Sequence, residues 1–96
     1  MPAPQTDQFK KAVENSRKLK QKPTNDELLQ LYGLFKQGTQ DPPIDKSPQP
    51  GAFELKEKAK RKAWQKLVDE GVEPKDAQKK YVELVNSLIT KYGYNA

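Results

Sequence analysis

The chain has 96 residues, of which 33% are hydrophobic and 32% are charged, so it is long enough for one domain with a modest core. Its formal net charge of +5 favours an anionic partner. Because cysteine and histidine are both absent, the composition excludes disulfides, thiol nucleophiles, zinc sites built on these residues and imidazole acid–base catalysis. We therefore expect a single domain over residues 1–96 that is not an enzyme.

The sequence also lacks the segments that anchor a protein in a membrane or direct it to secretion. No apolar run approaches the ~18 residues of a membrane span, and no signal-peptide core follows Met1. Residue 2 is proline rather than the glycine that myristoylation requires, and prenylation would need a cysteine. We therefore expect a cytoplasmic protein.

Capping residues, proline and glycine define the first two predicted helices. The first ends before Pro23 and has a weak apolar stripe at helical spacing: Phe9, Ala12, Val13, Ser16 and Leu19. The second begins after Thr24, because Thr24 and Glu27 have the spacing of a capping box. Gly38 is expected to end this second helix.

The second predicted helix has a wide apolar face. At ~100° per residue, its apolar and aromatic positions cover an arc of about 220°. These positions are Leu28, Leu29, Leu31, Tyr32, Leu34 and Phe35. A helix that docks on one neighbour does not need so wide an arc. Either the helix packs against two others, which is the favoured explanation, or part of the arc meets an apolar group from outside the chain.

The second half of the chain predicts a loop and two more helices. Four of the eight prolines lie between residues 40 and 51 and indicate a long loop: Pro42, Pro43, Pro48 and Pro50. A third helix is expected from about Ala52 to Glu70, and a fourth from Pro74, which suits a first turn, to Gly93. The apolar stripe of the fourth helix is Ala77, Tyr81, Leu84, Val85, Leu88 and Tyr92. With no strand-like alternation, the sequence predicts an all-α fold.

Two lysines of the third helix fall inside its apolar stripe. At ~100° per residue, Lys56 and Lys60 lie on the same side as Ala59 and Ala63. Ammonium groups on an inward face need either a route to water or an anion. Snorkelling, in which the stems cover apolar surface and the heads reach water, explains them as well as a bound polyanion does. The other basic residues of this helix are expected to solvate an outer face: Lys58, Arg61, Lys62 and Lys66.

On the second helix, Tyr32 and Lys36 form an i, i+4 pair at one edge of the apolar arc. A phenol beside an ammonium suits a phosphate, and the ring of Phe35 could stack on a base. Taken alone, Tyr32 and Phe35 are better explained as core residues and Lys36 as a surface lysine. Arg17, on the Val13 side of the first helix, is equally weak evidence by itself.

Taken together, these residues resemble the acyl-CoA-binding protein family over nearly the whole chain. The resemblance is carried by Leu29-Gln30-Leu31-Tyr32-Gly33-Leu34-Phe35-Lys36-Gln37-Gly38-Thr39, by Lys56-Glu57-Lys58-Ala59-Lys60 with Ala63-Trp64, and by Tyr81 and Lys91-Tyr92-Gly93. It implies a four-helix bundle with a long Pro-rich loop between helices 2 and 3. It also implies a monomeric carrier that forms an intracellular pool of long-chain acyl-CoA esters, such as palmitoyl-CoA, for lipid metabolism. The resemblance implies no cofactor and no metal. It does imply transient exchange of acyl-CoA with acyl-CoA-using enzymes and with membranes.

The resemblance also assigns ligand residues by position. It implies that Tyr32, Lys36 and Lys60 hold the phosphorylated ribose of CoA, and that Phe35 lies by the adenine where the family usually has tyrosine. The remaining implied ligand residues are Arg17, Gly33, Leu34, Lys56 and Tyr81. The implied acyl groove is formed by Phe9, Val13 and Leu29.

The chain departs from the family pattern at a few places. Arg61 stands where a tryptophan is expected, and both the Pro-rich loop and the segment between Trp64 and Tyr81 are about two residues longer. The alternative function is a small basic helical domain that binds nucleic acid. The positive charge between residues 56 and 66 supports it, but these cations alternate with glutamate and no groove-reading pattern is present.

Overall fold

The four predicted helices are present in the computed structural model, which describes residues 3–40 and 43–95. They are α1 (Asp7–Ser16), α2 (Asn25–Thr39), α3 (Leu55–Asp69) and α4 (Pro74–Tyr92). The described part of the α2–α3 loop contains a single-turn 3₁₀ helix, Ile44–Lys46, while Pro42 of the predicted loop lies outside the described residues. Over the same ranges the only β-type pairing is an isolated bridge between Leu19 and Tyr94. The predicted all-α, four-helix fold is confirmed.

Two of the predicted helix starts depend on local chemistry that the structure reproduces. The Thr24 hydroxyl accepts a hydrogen bond from the Glu27 amide at 3.2 Å, and the Glu27 carboxylate accepts one from the Thr24 amide at 2.8 Å. Pro74 occupies the first turn of α4, where its missing N–H costs no hydrogen bond. Gly93, with a φ of 76°, directly follows the last residue of α4.

The expectation that Gly38 ends α2 is wrong. The helix continues to Thr39, and Gln40 caps it in the left-handed conformation with a φ of 51°. Gly38 is instead buried against α4, because a Cβ there would lie 2.9 Å from Cγ of Gln78. Its lack of a side chain therefore serves the contact between two helices rather than the end of one.

Two other boundaries also differ from the predicted ones. The first helix ends at Ser16, so Leu19 lies in the connection to α2 instead of on the α1 stripe. The third helix begins at Leu55 rather than Ala52. The reason is a turn in which the Glu54 amide donates to the Gly51 carbonyl at 3.1 Å.

Helix α2 lies between α3 and α4, and α1 packs against α4. This confirms the favoured explanation of the wide apolar arc, since Leu31 and Leu34 are buried in the core. The other buried hydrophobic residues are Phe9, Ala12, Trp64, Ala77, Tyr81, Val85 and Leu88. Leu28 and Leu29, near the start of α2, remain half-buried. Part of the arc is therefore left over after the helices have packed.

Two buried glutamines tie the elements together. The Gln78 amide nitrogen donates to the carbonyls of Pro4 at 2.7 Å and Gly38 at 2.8 Å, and its oxygen accepts from the Thr6 amide at 3.0 Å. The Gln37 oxygen accepts from the Trp64 indole at 3.1 Å.

In the part of the chain that the structure describes, no helix is both long and apolar enough to cross a membrane.

Candidate functional site

Many of the predicted ligand residues converge on one cavity to which all four helices contribute. We call it the tyrosine cavity, and its volume is about 430 Å³. It is lined by Val13, Ser16, Arg17, Pro23, Leu28, Leu31, Tyr32, Phe35, Lys60 and Tyr81. This lining combines three aromatic rings with two cationic side chains, so it can take a ligand that is both flat and anionic.

A second cavity of about 410 Å³ adjoins the first, because Leu28 and Lys60 line both. We call it the leucine cavity. Its lining is Lys22, Asn25, Leu28, Leu29, Leu55, Lys56, Ala59 and Lys60. The three leucines and the alanine form an apolar floor, and the lysines stand at its edge. The two cavities together make one groove with an aromatic, cationic end and an apolar end.

Two ammonium groups lie close to the Tyr32 ring. Lys60 Nζ is 5.5 Å from the centroid of the Tyr32 ring, and Lys36 Nζ is 5.9 Å from the same centroid. Lys60 also pairs with Glu57 at 3.5 Å, but its side chain is 40% exposed. An exposed pair of this kind is worth ~0–1 kcal/mol, so a phosphate can compete with Glu57 for the ammonium group.

The expected inward position of the two lysines is only partly correct. Lys60 is half-exposed and Lys56 is exposed, so both ammonium groups reach water. Their stems line the leucine cavity, as snorkelling predicts. Neither ammonium group is therefore a buried charge that would need a bound anion for compensation. The argument for anion binding depends instead on the grouping of cations around Tyr32.

Tyr81 and Ser16 close one wall of the tyrosine cavity. The buried Tyr81 hydroxyl donates to Ser16 Oγ at 3.2 Å, and Ser16 Oγ donates to the Val13 carbonyl at 2.7 Å. Burial raises the pKa of Tyr81, while the Ser16 hydrogen bond and the positive charge of Arg17 oppose that rise. The phenol therefore stays neutral near pH 7 and orients the end of α1 towards the cavity.

Phe9 was expected in the acyl groove, but the structure places it beneath the groove. It is 0% exposed, with ring centroids 5.9 Å from Phe35 and 5.0 Å from Tyr81. Since its surface is fully covered by neighbouring side chains, Phe9 supports the two cavity-lining rings from behind. Val13 and Leu29, the other two expected groove residues, do line the cavities.

Gly33 and Leu34, also expected at the ligand, lie on another side of α2. A Cβ on Gly33 would be 3.1 Å from the carbonyl oxygen of Ala63, so Gly33 permits close packing of α2 on α3. Leu34 is buried and lines a third cavity of about 710 Å³, which shares Leu29 with the leucine cavity and also includes Leu67 and Leu84. Helical geometry turns both residues away from Tyr32, although they are its neighbours in sequence.

Arg61 was expected on an outer solvated face, and this is wrong. Its guanidinium donates to the Ile44 carbonyl at 3.0 Å, to the Pro48 carbonyl at 3.4 Å, and to Ser47 Oγ. The side chain therefore holds the Pro-rich loop against α3. Helical spacing alone could not reveal this role, since the only signal was an arginine replacing the family's tryptophan beside a loop rich in proline.

The anchored loop forms one wall of a smaller cavity of about 220 Å³. Tyr32, Lys36 and Trp64 line it on the helix side, and Ser47, Pro48 and Pro50 on the loop side. Lys36 Nζ is 5.9 Å from the Trp64 ring as well as from Tyr32. The loop residues were not predicted as part of the site.

Throughout residues 3–40 and 43–95, no cluster of three or more acidic side chains is placed to hold a metal ion.

Comparisons with known proteins match the chain to one family. The family model described as "Acyl CoA binding protein" matches residues 6–85. The Acyl-CoA-binding protein homolog 1 of Caenorhabditis elegans is 52% identical over 86 residues, which cover 88% of this chain and 94% of that protein. The Acyl-CoA-binding protein of Dictyostelium discoideum is 45% identical over 84 residues, covering 88% and 95%.

A solved structure has the same fold. The crystal structure of Oryza sativa Acyl-CoA-Binding Protein 2 superposes with a TM-score of 0.76 at 32% identity, and 88% of each chain is covered. The residues matched by the family model include every residue that lines the tyrosine and leucine cavities.

Proposed function

Because this chain belongs to the acyl-CoA-binding protein family, we propose that its groove binds long-chain acyl-CoA esters without covalent chemistry. In this proposal residues 1–96 form one binding domain that carries acyl-CoA and maintains an intracellular pool of it for lipid metabolism. The observation that carries the proposal is the pairing of two adjoining cavities, one aromatic and cationic and the other apolar. An acyl-CoA has the same division between its nucleotide and its tail.

The tyrosine cavity takes the nucleotide. CoA carries a 3′-phosphate and a diphosphate, and the ammonium groups of Lys36 and Lys60, at 5.9 and 5.5 Å from the Tyr32 ring centroid, suit the phosphorylated ribose. Charge-assisted hydrogen bonds contribute ~1.5–3 kcal/mol each, so a few of them anchor the head group. Phe35 offers a half-buried ring to the adenine, and Arg17 adds positive charge at the rim.

The leucine cavity takes the tail. Each methylene that leaves water for this floor contributes ~0.8 kcal/mol. Leu29 lies on the floor and Lys56 at the edge, while Val13 borders the tyrosine cavity from α1. Phe9 acts indirectly by holding Phe35 and Tyr81 in place. Gly33 acts through the packing of α2 on α3, and Leu34 lines the cavity of about 710 Å³ rather than the groove.

The chain is proposed as a carrier and not an enzyme, because the groove presents lysines and aromatics and no acid–base pair. Nothing in the comparisons favours the nucleic-acid-binding alternative. We also propose that the protein acts as a cytoplasmic monomer that exchanges acyl-CoA transiently with the enzymes that use it and with membranes. Cell fractionation and sedimentation velocity test the location and the oligomeric state.

Calorimetric titration with palmitoyl-CoA, free CoA and palmitate tests the binding function directly. We expect palmitoyl-CoA to bind tightly, free CoA far more weakly and palmitate barely at all, since each smaller ligand lacks one half of the contacts. Equal affinity for free CoA and palmitoyl-CoA would overturn the carrier function. Tight binding of palmitate alone would overturn the assignment of the nucleotide to the tyrosine cavity.

A further inference from the structure

Two large apolar side chains are far more exposed than any others among the residues described. Phe53 is 97% exposed and Leu55 is 73% exposed. Single exposed apolar residues are common on protein surfaces and carry no meaning by themselves. These two, however, occur together at the start of α3, and the residues around them give the pair a distinct chemistry. We call residues 51–58 the α3 tip.

The α3 tip is an ordered turn that holds Phe53 outward. The Glu54 amide donates to the Gly51 carbonyl at 3.1 Å, and the Glu54 carboxylate accepts from the Gly51 amide at 3.0 Å. Lys58 Nζ donates to the Ala52 carbonyl at 3.1 Å. Because three hydrogen bonds fix the turn, Phe53 is presented to the solvent in one place, and its exposure is a property of the turn.

The surroundings of the α3 tip are positively charged. Residues 51–62 contain five basic side chains and two carboxylates, and therefore carry +3 of the net +5 of the chain. Both carboxylates are already engaged, Glu54 by the Gly51 amide and Glu57 by Lys60. Exposed lysines beside an aromatic and an aliphatic side chain are the composition of segments that lie in the interface of an anionic bilayer.

The α3 tip is also continuous with the groove. Leu55 and Lys56 line the leucine cavity, so the outer surface of the tip and the proposed site of the tail meet at one residue pair. A surface that contacts this tip therefore lies at the mouth of the leucine cavity. Phe53 itself lines neither cavity of the groove.

We propose that the α3 tip docks the protein on anionic membrane surfaces, with Phe53 and Leu55 entering the interfacial layer and the lysines meeting lipid phosphates and carboxylates. The docked tip opens the leucine cavity towards the lipid, so that an acyl tail can pass between the two with little exposure to water. This delivery step rests on the proposed function, whereas the docking rests on the tip alone.

Vesicle sedimentation of the full chain tests the docking. The probes are vesicles of phosphatidylcholine with about one third phosphatidylserine, and vesicles of phosphatidylcholine only. We expect Phe53→Ser to lower partitioning onto the anionic vesicles by about tenfold or more, since it removes the largest inserted side chain. Phe53→Leu should retain most of the binding. The matched control is Tyr94→Ser, which changes another exposed aromatic and should have no effect.

The same variants separate the docking from the binding function. Phe53→Ser should bind palmitoyl-CoA in solution as the wild type does, but transfer it to anionic vesicles more slowly. Equal partitioning of Phe53→Ser and wild type, or equal wild-type binding to neutral and anionic vesicles, would overturn the docking. So would a wild-type dimer that Phe53→Ser dissociates, since a second copy would then cover the tip. If wild type docks through Phe53 but does not bind palmitoyl-CoA, only the proposed function falls.

Discussion

Lys60 shows how one side chain can belong to both ends of the groove. Its stem borders the leucine cavity, and its ammonium group faces the Tyr32 ring at 5.5 Å. The competing interaction with Glu57 is exposed and therefore weak. A residue in this position can change partners when a ligand arrives without disturbing the helices that carry it.

We expect Lys60→Ala to weaken palmitoyl-CoA binding by ~2 kcal/mol, which is about thirtyfold in the dissociation constant. The free energy of unfolding should hardly change, because Lys60 is half-exposed and its one ion pair is weak. Isothermal titration measures the affinity, and urea unfolding measures the stability. Lys62→Ala, an exposed lysine of the same helix, is the matched control and should bind normally. A Lys60→Ala protein that binds normally but unfolds early would show that Lys60 is structural.

At the residue level, local chemistry was readable from the sequence and long-range packing was not. The capping box of Thr24 and Glu27 was predictable, because both partners lie within one turn. The role of Gly38 was not, because it depends on Gln78, 40 positions away. The anchoring of the loop by Arg61 was missed for the same reason. The residues around Tyr32 became a candidate site only through their resemblance to a family.

At the level of whole elements, α2 and α4 pack tightly at Gly38, where a Cβ would lie 2.9 Å from Cγ of Gln78. Three hydrogen bonds hold the Gln78 side chain there, so it cannot simply rotate away from a larger neighbour. The backbone nitrogen of Gln78 would also lie 3.3 Å from a Cβ at position 38. The packing of the two helices therefore has no room for a methyl group.

We expect Gly38→Ala to destabilise the protein by ~1–2 kcal/mol, since the cost of overpacking exceeds the gain in helix propensity. The measurement is the midpoint of urea unfolding at constant slope. Gln30→Ala, at an exposed position of the same helix, should stay within ~0.5 kcal/mol of the wild type. A Gly38→Ala protein more stable than the wild type would mean that the α2–α4 contact can relax.

The start of α2 is also tied to the end of α4, through Glu27. Its carboxylate accepts hydrogen bonds from the Tyr92 hydroxyl at 2.7 Å and the Thr24 amide at 2.8 Å, and it pairs with Lys91 at 3.2 Å. These hydrogen bonds, above all the one from Tyr92, lower the pKa of Glu27 from 4.5 to about 2. The ionised carboxylate therefore links the two helices.

Glu27→Gln should lose a stabilisation that depends on pH. Because the pKa of Glu27 is lowered in the folded state, its contribution is fully present above about 4.5 and is lost as the pH falls towards about 2. We expect the wild type to be more stable than Glu27→Gln at pH 7 and the difference to shrink across that acid range. Urea unfolding at a series of pH values measures it, with the exposed Glu83→Gln as control. A difference that is constant with pH would contradict the charge-based account.

At the scale of the whole molecule, the groove lies where the contacts between helices leave part of the α2 arc uncovered. Helix α2 contacts α3 and α4, while α1 contacts α4. The half-buried Leu28 and Leu29 are the part of the α2 arc that these contacts leave uncovered. The sequence predicted that the arc was wider than one contact needs, but not where the surplus would lie, since that depends on the mutual placement of α1 and α3.

The dissociation constant should fall with acyl chain length and then level off. Each added two-carbon unit should tighten binding roughly tenfold while it is buried, at ~0.8 kcal/mol per methylene. The gain should stop when the tail outgrows the leucine cavity of about 410 Å³. Titration with saturated acyl-CoA esters from short to very long chains measures the series. If the dissociation constant did not change with chain length, and free CoA bound as tightly as the esters, the protein would recognise only the nucleotide.

The packing of α1 on α4 has a consequence for the kinetics of folding. Its hydrogen bonds join residues far apart in the chain, 72 positions for Thr6 and Gln78 and 65 for Ser16 and Tyr81. Contacts of such separation raise the contact order above that of a bundle with sequential neighbours, and closing a long loop is entropically costly. We therefore expect α1 to dock late, after α2, α3 and α4 have collapsed on each other. Because Val13, Ser16 and Arg17 form one wall of the tyrosine cavity, the binding groove is completed only in that final step.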